Sequence, residues 1–168
     1  MKTVLLSAVS LDGKIARDSF DKLGWVSREN KKFFAKVTRK AGVVIVGHNT
    51  FKLIGKPLED RLLVVLASKP WAEETKPGKV EFTNDSPTKL LKGLKKRGFK
   101  EVFIGGGRKI NTLFLKQNLL NEIWLVYEPL ILGKGIGLFE EGISSSRFKL
   151  KEGKKLSSGL LLLKYERR

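Results

Sequence analysis

The stretch Glu101-Val-Phe-Ile-Gly-Gly-Gly-Arg-Lys-Ile-Asn-Thr-Leu-Phe-Leu115 decides how the rest of this chain is read. Val102 to Ile104 form a short apolar run of the kind that becomes a buried strand. Gly105, Gly106 and Gly107 follow, and then Ile110, Leu113, Phe114 and Gln117 fall at helical spacing. A strand, a glycine turn and a helix start leave backbone N–H groups free to meet an anion. Arg108 and Lys109 stand in the first helical turn, where a cation opposes the helix macrodipole. That placement is poor for helix stability and good for holding a phosphate. Glycines at such a turn also serve positive φ alone. Spacing therefore leaves two readings open, a phosphate cradle and a plain tight β–α turn. The pattern is neither a Walker loop nor a G-x-G-x-x-G fingerprint.

Working outward, residues 2–9 are a continuous apolar strand of the fully buried kind. Asp12-Gly13 marks a turn, and residues 17–24 are a polar loop placed to act as a lid over a site. Ser27 is an N-cap, Glu29 suits the first turn, and Phe33, Phe34, Val37 and Ala41 make the inner face of a helix with Arg39 near its end. Val43–Gly47 is a second buried strand, and His48-Asn-Thr50 opens a short helix. Residues 62–66 and 79–83 read as strands, with loops at 55–61 and 70–78. Ser86-Pro87 starts a helix that Gly98 stops. After the glycine unit come a strand over 120–128, a long loop over 129–146, and an antiparallel hairpin of 148–153 and 160–165 turning at Ser157-Ser158-Gly159. Strands alternating with helices, then an antiparallel finish, predict one α/β domain over residues 1–168. It has a mostly parallel central sheet, helices on both faces and a C-terminal hairpin. A ligand crevice is expected where the parallel strands end, an edge that gathers Ser10, Gly47, Thr50, Ser68 and Gly105–Gly107.

Composition narrows the function. The chain of 168 residues has no Cys and a single His, His48, so thiol chemistry is excluded and no His-based zinc site is expected. No apolar run reaches membrane-spanning length and no signal peptide is read, which points to a cytoplasmic protein. The net charge of +17 comes from lysines spread along the whole chain and interleaved with acids. We read it as a lysine-rich solvated surface of the thermophile kind, with steering of anionic ligands as a second benefit. A basic nucleic-acid-binding module is a remote alternative that rests on charge alone. Trp71 and Trp124 read as packing residues; Trp25, beside the lid, has a functional case.

Several of these segments carry a family resemblance. Ser10-Leu-Asp-Gly-Lys-Ile-Ala16, Trp25-Val-Ser27, Arg39 ahead of Val43–Gly47, and Leu120–Pro129 resemble the reductase domain of the riboflavin-biosynthesis deaminase–reductase. Val46–Phe51, Ile54–Arg61, Leu66-Ala-Ser68 and Ile104–Arg108 are similar to dihydrofolate reductase. The two families share one fold. The resemblance implies hydride transfer from NADPH, which contributes the hydride chemistry while the protein orients it. It places Gly105–Gly107 against the pyrophosphate, with Gly47 and Thr50 nearby. It gives Ser68 and Arg108 the adenosine 2′-phosphate, and sets Ala8 and Trp25 beside the nicotinamide. His48 stands where family binders of that phosphate carry an arginine.

For the substrate the resemblance implies two readings. In the pyrimidine reductase, arginines matching Arg39 and Arg61 clamp a ribose phosphate, and two guanidinium groups from separate elements suit that dianion. An acid expected before the glycine turn is Ile104 here. In dihydrofolate reductase a helix carboxylate and a strand threonine assist protonation; by register these are Asn30 and Val126, which supply neither an acid nor a hydroxyl. Arg61 keeps the position that would bind the folate tail. The leading reading is an NADPH-dependent reductase of the phosphoribosylaminopyrimidine of riboflavin synthesis, and the alternative is a dihydrofolate reductase. Lys14, Asp12 and Glu29, near the lid, are the candidates for the acid. A homodimer through the 129–137 loop and the final hairpin is expected, as related reductases pair through that region.

Overall fold

The computed structural model describes residues 1–68, 75–157 and 159–168. Trp71 and Ser158, with their expected roles in packing and in the hairpin turn, lie outside the described residues, as does most of the expected 70–78 loop.

Eight strands form one sheet in the order β5-β4-β3-β6-β1-β7-β10-β9. They are β1 (Lys2–Val9), β3 (Val43–Gly47), β4 (Leu62–Leu66), β5 (Val80–Thr83), β6 (Glu101–Ile104), β7 (Glu122–Tyr127), β9 (Phe148–Ser157) and β10 (Leu160–Arg167). From β5 to β7 every neighbour runs parallel; β10 turns antiparallel to β7, and β9 to β10. Helices cover both faces, which is why the central strands are apolar at every position rather than at alternate ones. Helices α1 (Arg28–Ala41) and α2 (His48–Ile54) lie on one face, where Phe33, Phe34, Val37 and Phe51 pack on Val4, Val44, Phe103 and Val126. Helices α3 (Pro87–Lys96) and α4 (Arg108–Lys116) lie on the other, where Leu90, Leu94, Ile110 and Phe114 pack on Leu5, Ile45 and Ile104.

Local chemistry sets the helix ends. The Ser27 side chain accepts from the Asn30 N–H, satisfying one of the free donors of α1. Gly42 ends α1 at φ 78, a left-handed conformation that a side chain resists, and its N–H closes on the carbonyls of Thr38 and Arg39. Ser86 caps α3 in the same way, with Pro87 in its first turn.

Two features depart from the expected elements. The 129–146 loop contains β8 (Ile136–Gly137), which pairs antiparallel with β2 (Lys14–Ala16). A two-residue strand has no period, so no pattern announces it. The final hairpin is also longer than expected, because β9 is an edge strand and carries lysines where a buried strand would carry apolar residues. Trp124 is a packing residue as expected: the Phe103 ring meets it edge-on at 5.4 Å and Lys164 Nζ lies 4.2 Å from its centroid. Among the described residues no helix is long and apolar enough to cross a membrane.

Candidate active site

The ends of β3 and β6 interlock through their glycines. Gly47 donates its N–H to the Gly106 carbonyl at 2.8 Å, and Gly105 donates to Ile45 at 2.8 Å. A Cβ on Gly47 would stand 2.8 Å from Ile110 Cγ1, and one on Gly107 would stand 3.2 Å from Thr50 Oγ1. The β3–α2 and β6–α4 turns are therefore in contact, and Thr50 and Gly105–Gly107 come together as expected. The N-cap of α4 is Gly107, which offers no side chain to its first-turn N–H groups. Asn111 Oδ1 is buried beside this turn with no hydrogen-bond partner among the described residues. Arg108 begins α4, half-buried, while Ser68 lies exposed past the end of β4. The His48 ring stands edge-on to Phe82 with centroids 6.3 Å apart.

Ile104 does not reach this site. It is fully buried among Leu5, Ile45 and Phe114, on the face covered by α3 and α4, so its expected substrate contact is corrected to a core role. Strand alternation sets the face: the residue before the turn points to the face opposite α1.

At the elbow after β1, Ser10 is fully buried. Its hydroxyl donates to Asp12 Oδ1 at 2.6 Å and accepts from the Lys14 N–H at 2.9 Å. Asp12 also accepts from the N–H groups of Leu132 at 3.1 Å and Gly133 at 2.9 Å. The Ser10 hydroxyl first, then these backbone donors, hold the Asp12 carboxyl below its usual range. An acceptor so engaged is a loop anchor, which argues against Asp12 as a proton donor. Lys14 begins β2, half-buried.

The lid segment is more ordered than its polar composition suggests. Asp21 accepts from the Arg17 N–H at 2.7 Å, the Leu23 N–H at 2.8 Å and Trp25 Nε1 at 3.0 Å. Burial raises the Asp21 pKa, but these hydrogen bonds outweigh it and the net shift is downward. Asp21 thus orients Trp25, a role the sequence reading did not assign.

Where α1 begins, Asn30 points inward, 4% exposed, and Glu29 faces solvent, so Glu29 lies off the buried corner it would need to serve as an acid. Asn30 Nδ2 donates to Glu128 Oε1 at 2.8 Å, and the Ser27 N–H and hydroxyl donate to the same oxygen, each at 3.0 Å. Glu128 follows the last residue of β7. Its N–H donates to the Val9 carbonyl at 2.8 Å, next to half-buried Ala8, which pairs with Val126 across the strands. Sequence reasoning passed over Glu128; the available signal was an acid closing an apolar strand immediately before Pro129.

The two arginines stand at the other end of α1, where β3 and β4 begin. Arg61 precedes β4, and its Nη1 donates to the Ala35 carbonyl in the middle of α1 at 3.0 Å. Its Nε is buried with no partner among the described residues. Burial, and then the neighbouring Arg39 charge, lower the Arg61 pKa. Arg39 pairs with Glu59 at 2.7 Å and Asp60 at 3.7 Å, two well-exposed acids. Arg61, Glu59 and Asp60 line a groove of about 630 Å³ together with Leu58, Gly42 and Lys79. This groove is not at the strand-end crevice expected from topology. The two places lie at opposite ends of α1, which runs back along the strands to the start of β3.

A sequence model of the RibD C-terminal domain matches residues 2–162. The uncharacterized protein YwjB of Bacillus subtilis is 28% identical, over 96% of this chain and 95% of its own length. The riboflavin biosynthesis protein RibD of Aquifex aeolicus is 26% identical over 88% of this chain, which spans 52% of that protein. Among solved structures, Acinetobacter baumannii RibD superposes with a TM-score of 0.82 at 20% identity, covering 99% of this chain and 58% of that one. The Thermotoga maritima diaminohydroxyphosphoribosylaminopyrimidine deaminase/5-amino-6-(5-phosphoribosylamino)uracil reductase gives a TM-score of 0.78 at 20% identity, covering 99% and 56%.

Proposed function

Because this chain belongs to the RibD C-terminal domain family, we propose that it is an NADPH-dependent reductase acting on a phosphoribosylaminopyrimidine, either 5-amino-6-(5-phosphoribosylamino)uracil or its diamino analogue. The observation that carries the substrate half is that Arg61 lines one groove with Glu59 and Asp60, the two acids that Arg39 pairs with. Neighbouring cations that share counter-ions are favoured where a further anion joins them. Glu59 and Asp60 satisfy Arg39 only through exposed pairs, which contribute little and exchange readily for a phosphate.

When bound, NADPH supplies the hydride. The residues present fit such a cofactor, since the interlocked turns leave the first-turn N–H groups of α4 without a side-chain cap, next to a cationic Arg108. In this reading those N–H groups and Gly105–Gly107 hold the pyrophosphate. Gly47, His48 and Thr50 flank it, and Ser68 and Arg108 take the 2′-phosphate. Ala8 and Trp25 border the nicotinamide, and Asp21 keeps the Trp25 ring in place. The phosphate of the substrate reaches Arg39 and Arg61. From Asn30 to Arg39 the helix rises about 13 Å, which an extended phosphorylated chain and two long arginines can span.

The test is NADPH oxidation with the pyrimidine and with dihydrofolate in parallel. Arg39→Ala is expected to lower turnover of the pyrimidine roughly 100-fold, as loss of charge-assisted hydrogen bonds to a phosphate does, and to leave dihydrofolate turnover nearly unchanged. Equal loss on both substrates, or no loss on either, removes the phosphate-clamp assignment.

A further inference from the structure

Glu128 is 2% exposed, yet among the described residues no lysine or arginine pairs with it. Its donors are all neutral and all converge on Oε1: the Ser27 N–H, the Ser27 hydroxyl and the Asn30 amide. No donor among the described residues reaches Oε2. The Oε1 bonds have a structural reading, a carboxylate reinforcing the N-terminus of α1. That reading leaves Oε2 without a protein donor; it is not one of the buried side-chain atoms that lack a partner, so it keeps contact with solvent and can be reached by a ligand. Its position is equally specific. Glu128 shares a sheet face with Val126, two residues earlier, and Val126 lies opposite Ala8. Trp25 is two residues before the Ser27 donor. The carboxylate thus sits in the corner where the reductase reading puts the reacting groups.

We propose that Glu128 Oε2 receives the reacting C=N group of the substrate in its protonated form, with Ser27 and Asn30 as positioning residues. The proposal rests on the reductase reading above. Reduction of a ribosylamine requires the sugar ring to open to an imine. The imine nitrogen takes a proton from solvent and becomes an iminium, which accepts a hydride far more readily than the neutral imine. Hydride then adds to the imine carbon, the C=N π pair moves onto nitrogen, and an N–H amine results. The nicotinamide is oxidised and the substrate reduced by two electrons. An anionic oxygen without a cation partner stabilises the iminium N–H, and it does so without itself delivering the proton. The neutral cage matters here: a lysine or arginine on Glu128 would spend the negative charge that the iminium needs.

The test separates this inference from the functional reading. A calorimetric titration with 2,4-diaminopyrimidine in its protonated form, a ring that offers cationic N–H donors, needs no knowledge of the true substrate. Uracil serves as the uncharged control. The wild-type protein should bind the cationic ring over uracil, and Glu128→Gln should weaken that binding roughly 10- to 100-fold, the loss expected for one charge-assisted hydrogen bond. NADPH affinity and uracil binding should not move. If Glu128→Gln does not fold, Glu128→Asp replaces it: the shortened carboxylate should weaken the cationic probe several-fold and not uracil. No preference for the cationic ring in the wild type, or equal probe affinity in the variant, overturns the proposal. Failure of the wild type to turn over the phosphorylated pyrimidine is a different result; it removes the functional reading and leaves the probe titration to decide the role of Glu128.

Discussion

Strand β7 and its C-terminal continuation carry two buried carboxylates, six positions apart, in opposite circumstances. Glu122, 4% exposed, is surrounded by cations: Lys151 Nζ at 2.7 Å and Lys2 Nζ at 3.0 Å, with Trp124 Nε1 at 2.7 Å. Burial raises its pKa, but the hydrogen bonds from Lys151, Trp124 and Lys2 outweigh that and bring it down to about 2. Glu128, 2% exposed, meets only neutral donors on one oxygen. A protein that can neutralise one acid on a strand has the means to neutralise the other. The difference teaches that burial alone does not mark a functional acid. A buried acid left without its counter-charge is the informative one.

The sharpest way to break this contrast is to remove each charge in turn and read both activity and melting. Glu128→Gln should lower turnover on the order of 100-fold while shifting the melting temperature by only a few degrees, because Gln still offers an acceptor to Ser27 and Asn30. Glu122→Gln should do the reverse, retaining turnover and losing roughly 5–10 °C. Matching losses in both assays for both variants would erase the distinction.

The pH dependence of stability sharpens it next. The folded pKa of Glu122 lies below the ordinary 4.5, so its contribution is whole above about pH 4.5 and is lost as pH falls through about 2. At about 1.4 kcal/mol per unit that window holds on the order of 3 kcal/mol. Acid titration of wild type against Glu122→Gln, followed by circular dichroism, should show this part of the slope only in the wild type. The smallest effect belongs to the exposed pairs at the arginine groove. Glu59→Gln should change stability by less than about 0.5 kcal/mol and lower KM for a phosphorylated substrate, since a competitor for Arg39 is gone. A rise in KM would mean that Glu59 holds Arg39 in its working position.

What the sequence made legible follows from period and punctuation. Continuous apolar runs identified the parallel strands, and Ser27 and Ser86-Pro87 began two helices through their own caps. The approach of Gly47, Thr50 and Gly105–Gly107 followed from topology, because successive strand ends share one edge. Glu128 was not legible. Its burial depends on Ser27 and Asn30, about a hundred residues earlier, and an acid before a proline reads locally as a turn residue. Asp12 misled in the opposite sense: an acid near a lid suggests chemistry, and its donors come from a loop whose course the chain does not announce. For Ile104 alternation alone could not decide its environment, because both faces of this strand are buried.

The lysines of β9 gain a meaning from their place in the sheet order. This strand is one of the two open edges, and Lys149, Lys151, Lys154 and Lys155 lie along it. An uncovered edge offers unpaired backbone groups to any other extended chain, and lysines without an ion-pair partner among the described residues, such as Lys149, Lys154 and Lys155, make the approach of an identical edge unfavourable. Part of the net charge of +17 therefore acts as a guard against fibrillar stacking. A second copy meeting this hairpin is steered away from strand-to-strand pairing and toward its exposed side chains, Leu150 and Leu161 among them.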